Sequence, residues 1–197
     1  YRDVKDTTVT AQFAIPAADW KVLAEKADLP KEAWGKPCFV AWTTTPWTLP
    51  SNVALCVGPK IEYDIIETYN PYDAEKLTLV MASSRVAAYL KPEGEITDRG
   101  ELPPYERGDK YVPYRVVARL TGTELEGLHY RQLMPWVKPV EKTGELAPKF
   151  VNDYAAAHPE KVFTGEDGRD RFVEMESEAF RIILGDYVTI EDGTGIV

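Results

Sequence analysis

The densest run of side chains able to face a ligand is Thr43-Thr44-Thr45-Pro46-Trp47-Thr48-Leu49-Pro50-Ser51-Asn52, in which four threonines, one serine and one asparagine surround two prolines. Pro46 and Pro50 lack the N–H that a sheet ladder needs. They also push Thr45 and Leu49 away from helical geometry. The spacing therefore predicts an extended, kinked connection from Thr43 to Asn52, with hydroxyls and backbone groups partly free for binding. Trp47, at its centre, has two readings. It walls a small apolar pocket, or it packs on the core below a Thr-rich strand end and a proline turn. Residue physics alone favours the second, because threonine suits strands and tryptophan is usually buried.

Other chemistries find less support. His129 and His158 are the only histidines. Neither has a Ser, a Cys or a second ligand at useful spacing, and each reads as a surface or capping residue. Glu166-Asp167-Gly168-Arg169-Asp170 lacks the alternating oxygen ligands and closing Glu of a calcium loop, so it reads as a solvated acidic loop. Cys38 and Cys56 stand alone in apolar runs and are expected to be buried, reduced thiols, which suits a cytoplasmic setting. No metal site, phosphate-cradling glycine loop or basic stripe is legible. A net charge of −9 argues against autonomous nucleic-acid binding, which rests on clustered Lys and Arg.

The elements that must position the threonine stretch follow from pattern. Cys38 to Trp42 and Val53 to Val57 are apolar runs that read as strands on either side of it. Thr8 to Ile15 alternates as a half-buried strand, and Asp19 to Ala27 reads as a helix with Trp20, Leu23 and Ala27 on one face. Tyr63 to Thr68 and Lys76 to Met81 form the arms of a hairpin across Asn70-Pro71-Tyr72-Asp73, and Ser83-Ser84 is expected to cap a short helix ending at Tyr89. Arg115 to Leu120, Phe180 to Leu184 and Tyr187 to Ile190 are further strands, and Thr121 to Glu124 is a turn. Many short strands with few small helices predict a mainly β (α+β), barrel-like domain with short peripheral helices. At 197 residues, 44% apolar and 28% charged, the chain suits one soluble domain with a real core. No run is long enough to span a bilayer, and Tyr1-Arg2-Asp3 does not open a signal peptide.

Thr43 to Asn52 closely resembles the threonine-rich peptide of the editing (CP1) domain of isoleucyl-tRNA synthetase, an insertion in a class I synthetase. The related valyl and leucyl enzymes carry Arg at the position of Thr45 and an acidic residue at that of Trp47. A second likeness lies in Asp186-Tyr187-Val188 and Glu191-Asp192-Gly193-Thr194-Gly195-Ile196-Val197, which resembles the strand and Gly-Thr-Gly turn closing the family's editing pocket. Weaker likeness covers Tyr1 to Phe13 and Gly122 to Leu133. The segment 135–177 matches least and is expected to be a surface insertion, with one helix from Pro148 to Ala157, in a single editing domain spanning 1–197.

The resemblance implies a deacylase that hydrolyses valyl-tRNA(Ile), and with it valyl-adenylate, within an ATP- and Mg2+-dependent ligase. The domain itself would need no cofactor. Thr43, Thr44 and Thr45 would hold a water and the terminal ribose, Asn52 would orient the loop or the adenosine, and Trp47 would size the pocket. Thr48 and the Gly193-Thr194-Gly195 turn would contact substrate. With no Ser or Cys triad legible, direct attack by water is expected over an acyl-enzyme. The implied partners are the valine-bearing 3′ end of tRNA(Ile) and the rest of the synthetase in cis, with no membrane. In the family, a His-containing segment and an Asp that anchors the substrate ammonium follow the Gly-Thr-Gly turn. Those positions fall past Val197, so a fragment of a larger synthetase is expected, with activity in isolation left open. A tRNA-positioning module of the same fold without turnover is the alternative, and an unrelated β-rich interaction domain is a third reading.

Overall fold

A computed structural model describes residues 7–98 and 100–197. The first six residues, where the N-terminal likeness begins, lie outside the described residues. Strands β1 (Val9–Ala14), β2 (Lys36–Thr43), β4 (Glu62–Tyr69), β5 (Lys76–Ala82) and β6 (Tyr114–Thr121) form one mixed sheet in the order β1-β2-β5-β4-β6. Only β2 and β5 pair in parallel in it. A second sheet is the parallel pair of β3 (Ala54–Val57) and β10 (Arg181–Leu184). The architecture is β-rich with short helices, as the sequence predicts, but these strands form separate open sheets and close no barrel.

The central strands carry near-continuous apolar runs because both faces of the sheet are covered. One face, with Phe13, Phe39, Ile65 and Val80, packs on Trp20, Leu23 and Ala24 of helix α1 (Ala17–Lys26) and on Leu55 and Ile182 of the small sheet. The other face, with Cys38, Val40, Ile66, Leu79 and Met81, is partly covered by Val86 of the one-turn helix α2 (Val86–Tyr89). Burying so much apolar surface stabilises by about 25 cal/mol per Å2 and fixes the sheet on which the threonine stretch is mounted. Burial also pushes the Cys38 thiol up to about 11, leaving it neutral and inert.

Several expectations give way here. Ser83 caps no helix: its hydroxyl donates instead to the buried Asp64 carboxylate at 2.6 Å, where Arg119 Nε also donates at 2.7 Å. A buried charge demands such partners, and this outweighs the cap. Thr121 to Glu124 opens a one-turn helix, α3 (Gly122–Leu125), with a capping box between Thr121 and Glu124. Tyr187 to Ile190 is no strand. The chain turns just after β10, with Gly185 N donating to Val57 O and Val188 N to Gly185 O.

The poorly matching segment contains more than a helix. Helix α4 (Lys149–Ala157) packs on a three-stranded sheet of β7 (Val140–Lys142), β8 (Val162–Thr164) and β9 (Arg171–Glu174). Val151, Val173 and Met175 make its separate small core. Its acidic loop is an ordinary hairpin turn in which Asp167 accepts from the Arg169 and Asp170 amides, and these hold its carboxyl below the usual range.

Candidate active site

The threonine stretch leaves β2 at Thr43 and returns into β3 at Ala54. Between them the chain is not extended. Pro46 to Ser51 winds into a tight helical turn, Pro46 standing at its first position, where a missing N–H is harmless. Hydroxyls build the turn. Thr45 N donates to Thr43 Oγ1 at 3.0 Å, and Thr48 donates to Thr45 O through both its amide at 2.9 Å and its hydroxyl at 2.8 Å. The Oγ1 atoms of Thr43, Thr45 and Thr48 then form a chain of contacts of 3.2 and 3.4 Å.

Asn52 closes the loop with both ends of its amide fixed. Nδ2 donates to Ala54 O at 2.9 Å, and Oδ1 accepts from the Tyr130 hydroxyl at 2.5 Å. Tyr130 is only 3% exposed and sits edge-on between Phe13 and Phe180, with ring centroids 5.2 and 6.0 Å away. Burial pushes its hydroxyl well above the usual range, so it remains a neutral donor. Tyr130 lies 78 residues beyond Asn52, and no local motif marks it in the sequence. Its one signal is its place in the weakly similar stretch from Gly122 to Leu133.

Beside this loop lies a cavity of about 480 Å3, within the range of small-ligand sites. Thr43, Thr48, Ser51 and Asn52 line it with Trp42, Leu49, Val53, Leu55, Cys56, Ile183, Tyr187 and Val197. Thr44 and Thr45 lie outside the lining, and Trp47 is 66% exposed, in neither the core nor the cavity wall. Among the described residues, no Asp, Glu, Lys, Arg or His lines it. The cavity thus offers hydroxyl, amide and thiol groups on apolar walls, aliphatic and aromatic. A hydrogen bond with the Cys56 thiol, helped by some burial, raises Tyr187 above its usual range.

The C-terminal turn braces the opposite side. Val197 pairs with Cys56 through both backbone groups, at 2.6 and 3.1 Å. Gly193 and Gly195 have φ of +65° and +72°, the left-handed region that glycine tolerates. A Cβ at Gly193 would lie 2.8 Å from the Trp42 ring, and one at Gly195 2.4 Å from Ala82 Cβ. Thr194 is buried, its carbonyl accepting from Ala82 N. The structure therefore brings the turn against Trp42, a wall of the cavity, but Gly193, Thr194 and Gly195 do not themselves line it. Arg85 holds the turn through the Gly193 and Glu191 carbonyls.

The histidines lie elsewhere. His129 bonds Asp19 through its backbone N–H and ring, and His158 ends α4 against the Tyr154 ring. Among the described residues, no group of three or more His, Cys, Asp or Glu is placed to hold a metal ion. Nor is any helix long and apolar enough to cross a membrane.

No family model matches the chain. The isoleucine–tRNA ligase of Bacteroides thetaiotaomicron is 44% identical over 197 residues, covering all of this chain and 14% of that protein. That of Porphyromonas gingivalis is 41% identical over 198 residues, again covering all of this chain and 13% of its relative. Among solved structures, the P. knowlesi cytosolic leucyl-tRNA synthetase editing domain aligns with a TM-score of 0.54 at 11% identity, covering 96% of this chain and 56% of that one. The P. falciparum counterpart gives 0.55 at 9% identity, over 96% and 60%. At such identity these two show a shared fold.

Proposed function

The chain belongs, as a segment, to the isoleucine–tRNA ligase family and has the synthetase editing-domain fold, and on that premise we propose that it deacylates valyl-tRNA(Ile) by positioned water. The observation that carries the reading is the cavity itself: hydroxyls and a fixed amide from the threonine-rich peptide, on apolar walls with no charged group among the described lining residues.

Editing has a physical motive. A missing methylene changes binding by only about 1–3 kcal/mol; isoleucine against valine is the established example of that limit, not a magnitude derived from this structure. A second pocket that admits valine and sterically rejects isoleucine multiplies the discrimination. Leu49, Val53 and Ile183 are the walls placed to impose that size limit.

In the reaction, a water held by the Thr43 and Thr48 hydroxyls attacks the ester carbonyl. Thr45 supports both through the hydroxyl chain, and Asn52 orients the terminal ribose. The carbonyl–oxygen bond to the ribose breaks, the ribose oxygen takes a proton of the water, and valine and tRNA leave. Thr44 and Trp47, outside the lining, act on the substrate only if the loop rearranges around it. The Gly193-Thr194-Gly195 turn supports Trp42 and the far wall. No acyl-enzyme is needed, and the same pocket accepts valyl-adenylate.

Among the described residues no carboxylate lines the cavity, so the described lining supplies no anchor for the ammonium of the aminoacyl group, and an acidic domain needs other parts of the synthetase for most of its grip on tRNA. Within 1–197 we read one editing domain carrying an insertion at 135–177. The intact protein would be an ATP- and Mg2+-dependent ligase of the cytoplasm, working with tRNA(Ile) and its other domains in cis. The reading is tested by clearance of valyl-tRNA(Ile) in the intact protein. Thr44→Ala, Thr45→Ala and Asn52→Ala should each slow it, His129→Ala should not, and unchanged clearance in all three threonine-loop variants would remove the catalytic assignment.

A further inference from the structure

The active-site cavity has a neighbour. A second hollow of about 420 Å3 shares Val53, Ala54 and Ile183 with it, so the two are divided only by an apolar saddle. Its far side is supplied by the poorly matching segment, through Val140 of β7 and Phe150 of α4. Phe150 is 62% exposed and belongs to no core cluster. The β3–β10 ladder gives the offset. Cys56, opposite Ile183, lines the first hollow, and Arg181, opposite Ala54, lines the second. Two residues of strand separate them, about 7 Å.

An ester joined to the end of a polynucleotide cannot lie wholly in the first cavity. The chain preceding the terminal nucleoside must leave across a rim. The saddle is a rim that leads into a second apolar hollow with an exposed aromatic ring. Resting on the editing reading above, we infer that this hollow seats the next unpaired nucleotide of the RNA 3′ end, its base stacked on Phe150. Glu141 and Glu178 also line the hollow, and Arg181 is engaged with Glu178 at 3.4 Å. Phosphate attraction is therefore weak there, and stacking on the exposed ring supplies the grip. The segment 135–177 then serves as the second wall of the substrate channel.

The test uses inhibition of valyl-tRNA clearance by the intact protein with two non-hydrolysable probes. One is 2′-amino-2′-deoxyadenosine bearing a valyl amide; the other carries the same group at the 3′ end of the trinucleotide CCA. Phe150→Ala should weaken the trinucleotide about tenfold and leave the single nucleoside unchanged. Phe150→Trp should restore the difference. Equal effects on both probes, or none on the trinucleotide, overturn the inference. Oxidative footprinting supplies a second readout: the trinucleotide should protect Phe150. A Phe150 already covered by another part of the protein before RNA is added refutes it. Failure of the single nucleoside to inhibit counts against the editing reading, and the footprint then still decides the second hollow.

Discussion

The two halves of the site are held in opposite ways. The Gly193–Gly195 turn is fixed by packing: Thr194 is 1% exposed, neither glycine has room for a Cβ, and Tyr63 hydroxyl ties Gly195 O to Gly58 N at 2.7 and 2.9 Å. The threonine loop is exposed and held by its own hydroxyls. Change in the turn should therefore act on stability, and change in the loop on chemistry. The loop can be rearranged by a substrate without disturbing the core, while the turn braces Trp42, a wall that does not move.

The sharpest way to break this contrast is Gly195→Ala. Left-handed strain and the clash with Ala82 should destabilise by about 3 kcal/mol, read as a lowered thermal midpoint. A neutral result would mean the turn is not fixed by packing. Next, Tyr63→Phe strands two buried backbone groups and should lose about 2 kcal/mol in denaturant unfolding. Burial raises the Tyr63 hydroxyl in the fold from the ordinary 10 to about 12. Its neutral form is thus favoured by folding, a stabilisation complete below about pH 10 and lost as pH rises toward 12. Tyr63→Phe should flatten that part of a stability-against-pH curve.

Tyr130→Phe falls between the halves. Removing the bond to Asn52 should cost about 1 kcal/mol of stability. It should also lower kcat for valyl-tRNA clearance, because Asn52 loses its fixed orientation. Smallest in stability is Thr45→Ala, within about 0.5 kcal/mol on an exposed loop, yet its clearance should drop. A large loss of stability there would erase the distinction.

The sequence made the packed parts legible where pattern was strong. The β4–β5 hairpin showed itself through apolar runs around Asn70 to Asp73, and α1 through the spacing of Trp20 and Leu23. It misled where local chemistry depends on distant partners. The two prolines argued for an extended loop, but Thr48 bonding back to Thr45 O makes a helical turn that Pro46 can start. Tyr187 to Ile190 has strand composition but no neighbour to pair with, because the chain turns at Gly185. β7 and β8 are three residues each, too short to show any period. The candidate site residues are legible only by their wording as a motif. The contact that orients Asn52 and the cavity walls from β10 depend on long-range packing that no local pattern carries.

The most direct test is an amide chemical-shift titration of this 197-residue chain with non-hydrolysable valyl and isoleucyl analogues of the 3′-terminal adenosine. The account predicts shifts at Thr43 to Asn52 and at Val197 with the valyl analogue and none there with the isoleucyl one. Equal shifts with both, or shifts confined to other surfaces, would contradict a size-selective editing pocket.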